Sequence, residues 1–185
     1  MKNLLPLGLA LALSAPAVAS DWTLDNEASS VRIETTAFGS TVSGEFSNFE
    51  TEIRFDPENL PDARIVGRVM VESGDTGNPQ YNSEMVSDDG LDADTFPLAV
   101  FVATDVTSFD ACAEGDGECY LASGSITLRD STQPADLAFR LSIEGDRAVA
   151  RGELTLARED FGIGAGNWAS SAETVTVKLH IEAAR

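Results

Sequence analysis

Apolar and polar residues alternate along most of this chain with a period of two. Leu137, Phe139, Leu141 and Ile143 are interleaved with Asp136, Ala138, Arg140, Ser142 and Glu144, so an extended backbone carries an apolar row on one face and a mostly polar row on the other. Glu144-Gly145-Asp146 then reads as a turn, and Ala148, Ala150, Gly152, Leu154 and Leu156 resume the alternation against Val149, Arg151, Glu153 and Thr155. The two segments predict a β-hairpin. Val175, Val177, Leu179, Ile181 and Ala183 set the same pattern against Thr174, Thr176, Lys178, His180 and Glu182. Earlier segments behave alike: Val31, Ile33 and Thr35; Ala63, Ile65, Gly67, Val69 and Val71; and Tyr120, Ala122, Gly124, Ile126 and Leu128.

Two places depart from the rhythm of these half-buried strands. Val42, Gly44 and Phe46 share one face whereas Phe49, Ile53 and Phe55 need the other, which predicts an extra residue near Ser47-Asn48 forming a β-bulge. Leu98 to Ala103 is apolar at six consecutive positions, predicting a strand covered on both faces. One long polar segment, Gly77 to Phe96, has no period-two run. There Tyr81, Met85 and Leu91 lie at roughly helical spacing behind Asn78-Pro79, a helix start. The whole reads as an all-β, antiparallel fold of about eight strands with a short helix and loop near one end. A closed barrel and a two-sheet sandwich both satisfy it. Long strands, the bulge and the interior glycines Gly44, Gly67, Gly124 and Gly152, which would relieve crowding in a curling sheet, favour the barrel. An eight-stranded barrel has room for one small ligand, and an aliphatic and aromatic inner row asks for an apolar one.

Charge and cysteine content narrow the setting. The formal net charge is −19, from 31 Asp and Glu against 12 Lys and Arg, so a nucleic-acid backbone or an anionic membrane surface would be repelled. Met1-Lys2, the apolar run Leu4 to Leu13 and Ala17-Val18-Ala19 form a secretory signal peptide with an A-x-A cleavage site. That divides the chain into a signal peptide, 1–19, and one domain, 20–185, exported to the periplasm, and no later segment is apolar enough to span a membrane. In an oxidising compartment Cys112 and Cys119, at the two ends of a short loop, form a disulfide.

Catalysis finds little purchase. His180, the single histidine, falls on the polar row of its strand. No G-x-S-x-G, H-E-x-x-H or Walker-type pattern occurs, and Asp88-Asp89 or Asp92 and Asp94 lack the calcium-loop spacing and read as solvated surface. Gly162-Ile163-Gly164-Ala165-Gly166 lacks the βαβ setting of a phosphate loop and reads as a tight loop before the last strand. No catalytic residue, metal or cofactor is expected.

An ordered set of short stretches resembles the YceI-like family of lipocalin-like, polyisoprenoid-binding exported proteins. They are Trp22-Thr23-Leu24-Asp25 with Ser30-Val31; Val42-Ser43-Gly44-Glu45-Phe46; Phe55-Asp56-Pro57; Asp75-Thr76-Gly77-Asn78; and Phe96-Pro97 with Ala99 and Phe101. The series continues through Gly124-Ser125-Ile126-Thr127-Leu128-Arg129 with Pro134, Gly152-Glu153-Leu154-Thr155-Leu156 with Arg158, Asp160-Phe161-Gly162-Ile163-Gly164, Trp168 and Val175-Thr176-Val177. The chain departs from the family pattern at Tyr81-Asn82, at Ser87-Asp88-Asp89-Gly90 and at Asp130. The resemblance implies a lipocalin-like barrel around a long channel for an isoprenoid lipid, a quinone tail or another long-chain amphiphile, with that lipid as partner and no enzymatic activity. The inner rows give the expected lining: Val31, Ile33, Phe46, Phe101, Ile126, Leu128, Phe139, Leu141, Leu154, Leu156, Val177 and Leu179, with Trp168 at the rim. The rival expectation is a structural or interaction protein whose barrel is filled by its own side chains and whose acidic exterior meets a partner.

Overall fold

A half-buried strand leaves its backbone edges to be satisfied, and closure into a barrel satisfies all of them at once. The computed structural model describes residues 20–112, 115–164 and 171–185. The expected signal peptide and Trp168 lie outside the described residues. The strands are β1 (Ser20–Leu24), β2 (Ser30–Ala37), β3 (Ser40–Phe46), β4 (Phe49–Phe55), β5 (Arg64–Met70) and β6 (Gly74–Asp75). After the helix α1 (Pro79–Val86) come β7 (Leu98–Ser108), β8 (Glu118–Leu128), β9 (Ser131–Glu144), β10 (Arg147–Ala157) and β11 (Thr174–Ala184).

These eleven strands form a closed antiparallel barrel of eight walls. The ring runs β1-β4-β5-β7-β8-β9-β10-β11 and closes where Thr23 and Leu24 pair with Ala184 and Ala183. β2 takes the same edge of β11 further along, His180 facing Ser30, so β1 and β2 act as one wall interrupted by a turn. In that turn Asp25 Oδ1 accepts from the backbone N–H groups of Glu27 and Ala28, both at 3.2 Å, the short-range bonding that suits Asp to turns. β3 and β4 form the next wall. Two-residue turns join β2 to β3 at Phe38-Gly39 and β9 to β10 at Gly145-Asp146, the tight connection that antiparallel neighbours allow.

Several expectations need correction. At Ser47-Asn48 the strand breaks instead of bulging, yet the face changes as the parity slip requires, because Phe46 and Phe49 are both buried. The register shift lies elsewhere, between Ala103 and Asp105 of β7. Gly124 faces that shift, and a Cβ there would sit 2.0 Å from the Val102 carbonyl oxygen, so only glycine permits the approach. Gly67 relieves no crowding: a Cβ there would meet nothing within 4 Å. β7 is also not covered on both faces, since Leu98 is 39% exposed and Val100 and Val102 are half-buried.

Cys112 and Cys119 are disulfide-bonded, their Cα atoms 5.8 Å apart, which ties the segment before β8 to the second residue of that strand. By shortening the unfolded chain's freedom, a loop this small contributes about 2–3 kcal/mol. Replacing both cysteines with serine is therefore expected to lower the unfolding free energy by that amount in a denaturant titration, with the barrel retained.

Candidate functional site

Along each wall the inward row is apolar; Phe55, Tyr120 and Phe139 meet across the interior at one end, and elsewhere the side chains leave space between the walls. Two adjoining cavities remain. The first, about 170 Å³, is almost wholly apolar and is walled by β4, β5, β7, β9, β10 and β11. The second, about 210 Å³, lies toward the end where α1 crosses the barrel. Val31, Val69, Ala99, Ile126 and Val177 line both, so the two spaces share a common wall.

The expected lining residues fall on these cavities. Phe101, Phe139, Leu141, Leu154 and Leu179 face the first, Ile33, Phe46, Leu128 and Leu156 the second, and Val31, Ile126 and Val177 both. Sequence reasoning left out Trp22, Phe49, Ile53, Phe55, Ile65 and Val69, which complete the first cavity, and Tyr81, Met85 and Leu91, which roof the second. Phe49, Ile53 and Phe55 were legible as one face after the parity slip, and Tyr81, Met85 and Leu91 as one helical spacing. Trp22 stands alone in its segment and gave no pattern.

Aromatic rings pack at the end away from α1. Tyr120 stacks on Phe139 at 5.6 Å between centroids and meets Phe55 edge-on at 5.1 Å, arrangements that ring quadrupoles favour. Trp22 Nε1 donates to the Phe55 carbonyl at 3.0 Å, and the Arg185 guanidinium lies 4.8 Å over the Trp22 ring. The Tyr120 hydroxyl donates to Glu118 Oε2 at 2.6 Å. Burial first, and then Glu118, push its pKa far above the usual tyrosine value, which keeps the phenol neutral.

The other end is sewn together by polar groups. Asn78 Oδ1 caps α1 by accepting from Gln80 N at 3.0 Å, and Pro79 opens the first turn. Met85 is buried with Val31, Phe46 and Phe49. Asn82 donates to Asp75 Oδ1 at 2.8 Å and accepts from Thr76 N at 2.8 Å and from the Thr76 hydroxyl, tying α1 to β6. Beyond the helix, Gly164 N donates to the Asp89 carbonyl at 2.7 Å. Arg129 Nη1 donates to the carbonyls of Gly90 and Gly162 at 3.1 and 3.2 Å. Arg158, 7% exposed and facing the second cavity, donates to the carbonyls of Ile163 and Ala172 at 2.9 and 3.0 Å.

The tether at Asp75 is sensitive to acid. The hydrogen bond from Asn82, and then that from Gly77 N, hold its carboxyl below the ordinary value of 3.8. Its contribution is therefore complete above 3.8 and disappears as pH falls through the lowered folded value. Protection factors of the amides of residues 79–86, from which the intrinsic pH dependence of exchange is removed, are expected to fall in that acid window in the wild type. In Asp75→Asn they are expected to stay flat across it.

On the outer face, His180 Nε2 lies 3.1 Å from Glu182 Oε1. Among the described residues no group of three or more His, Cys, Asp or Glu side chains could hold a metal ion, and no helix is long and apolar enough to cross a membrane. What the interior offers is apolar area. Burying it in a ligand yields about 25 cal/mol per Å², which gives affinity for a hydrocarbon and little directionality.

Comparison with known proteins agrees with this geometry. A YceI-like domain model matches residues 22–183. A UPF0312 protein of Vibrio cholerae is 28% identical over 192 residues, covering 98% of this chain and 97% of its own. Among solved structures, BcnA of Burkholderia cenocepacia superposes with a TM-score of 0.78 at 24% identity, covering 86% of this chain and 99% of that one. A polyisoprenoid binding domain from Saccharophagus degradans, implicated in plant cell wall breakdown, superposes at 0.67 and 17% identity, covering 91% and 99%.

Proposed function

Because this chain belongs to the YceI-like family, we propose that it is a non-catalytic binding protein that holds a polyisoprenoid, a quinone-type lipid or another long-chain amphiphile in the barrel interior. The carrying observation is the pair of adjoining apolar cavities inside a closed barrel. Side chains that filled the interior would have left neither, which weighs against the rival reading of a solid structural barrel. The structural likeness to a domain described as polyisoprenoid binding supports the same class of ligand. The signal-peptide pattern at residues 1–19 supports action in the periplasm, where a hydrocarbon chain needs shelter from water to cross an aqueous space.

In this reading Val31, Ile33, Phe46, Phe101, Ile126, Leu128, Phe139, Leu141, Leu154, Leu156, Val177 and Leu179 contact the tail. The tail sets the affinity and groups near the opening set the choice of head group. Organic extraction of the purified protein followed by mass spectrometry tests this. One long-chain lipid per protein is the expected result, and repeated empty extracts from protein that also refuses added prenol would overturn it.

A further inference from the structure

A single exposed apolar side chain is ordinary on a protein surface, but Phe38 is unusual in three independent respects. It is 71% exposed at the tip of the β2–β3 hairpin. It also occupies a backbone that phenylalanine disfavours: its φ is +51° and that of Gly39 is +74°. A two-residue turn of that kind is most readily filled by Asn-Gly, and a bulky residue at positive φ is an outlier. Finally, it is among the residues that line the second cavity, together with Thr35, Ala37 and Val42. Neither burial nor backbone preference accounts for a phenylalanine there.

The residues around the tip are uncharged. Residues 35–44, Thr-Thr-Ala-Phe-Gly-Ser-Thr-Val-Ser-Gly, carry no charge in a chain of net charge −19. Ser171 bridges to Ala37, and Ala172 N donates to the Thr36 carbonyl at 2.7 Å, which sets further uncharged residues beside the tip. Across the same cavity the helix side carries Glu84, followed in sequence by Asp88, Asp89, Asp92 and Asp94. The Phe38 side of the cavity is therefore uncharged, whereas the charged lining residues are Glu84 of the helix and the buried Arg158.

We propose that the Phe38 hairpin docks this protein on the interface of an uncharged or zwitterionic lipid bilayer, with the ring inserted among the acyl chains and the second cavity brought to the membrane surface. An aromatic ring on an uncharged tip suits the headgroup boundary. The net charge of −19 opposes an anionic surface. Docking rests on the lipid-carrier reading for its purpose, since it would place the cavity where such cargo resides, but it is measured without cargo.

The test is co-flotation of the full mature protein with isoprenoid-free phosphatidylcholine vesicles, comparing wild type, Phe38→Asn and Phe38→Trp. Asn suits the positive φ, so Phe38→Asn is expected to fold as well as wild type, which a thermal melt verifies. The expected result is that Phe38→Asn floats about tenfold less than wild type, as loss of one inserted aromatic ring implies. Phe38→Trp is expected to float like wild type, and phosphatidylglycerol to weaken binding. Equal flotation of wild type and Phe38→Asn, preference for anionic vesicles, or a Phe38-dependent dimer in place of vesicle binding would each overturn docking. Extracted lipid in a protein whose flotation ignores Phe38 would sink docking alone. Phe38-dependent flotation with empty extracts would sink the carrier reading and leave docking standing.

Discussion

Gly67→Phe is expected to block uptake of a long-chain lipid while leaving the barrel folded. Gly67 sits on the inward row between Thr51 of β4 and Phe101 of β7 and lines the first cavity. Because a Cβ there meets open space, a side chain can leave the backbone unhindered and its ring is expected to enter the cavity. Each methylene of ligand excluded from the wall forfeits about 0.8 kcal/mol, so losing room for even two lowers affinity by about tenfold or more. Folding gains instead, by about 1–2 kcal/mol, as the ring buries apolar surface in space that was void. A prenol titration followed by tryptophan fluorescence, paired with a denaturation midpoint, reads both effects. Undiminished uptake together with a raised midpoint would place the ligand outside the first cavity.

Arg158→Leu is expected to destabilise the fold by about 3 kcal/mol, the scale on which buried polar groups suffer when a charged partner is removed. The guanidinium holds the Ile163 and Ala172 carbonyls and thereby fixes the turn that follows the 3-10 segment Arg158–Phe161. Lysine offers one point charge in place of a planar fork, so Arg158→Lys is expected to recover less than half of the loss. Urea unfolding of the three proteins gives the comparison. A Leu variant as stable as wild type would mean that those carbonyls are satisfied without the side chain.

Much of this architecture is legible in the sequence because a strand buried on one face must alternate. The inner rows of β8, β9 and β10 read directly from residues 120–128, 137–143 and 148–156. The helix reads from Asn78-Pro79, a cap and a first-turn proline that need no tertiary information. Arg158 was recoverable by the same parity, since it continues the even-numbered row of Leu154 and Leu156 inward, but a charged residue at a strand's end is ordinarily read as solvated. Gly67 misled because spacing locates an inward glycine without revealing whether its neighbours crowd it. Val66 is 2% exposed, which alternation does not show, because the rhythm of Ile65, Gly67 and Val69 puts it on the opposite face.

The residues common to both cavities carry one more implication. Val31, Val69, Ile126 and Val177 are β-branched, hence confined to few rotamers, and Ala99 has none to change. They line the junction of the two cavities with side chains of little rotamer freedom, so side-chain motion changes its width little. A guest would be sorted there by girth more than by length: a slim, flexible chain threads through, while a ring or a heavily substituted segment stops on the near side.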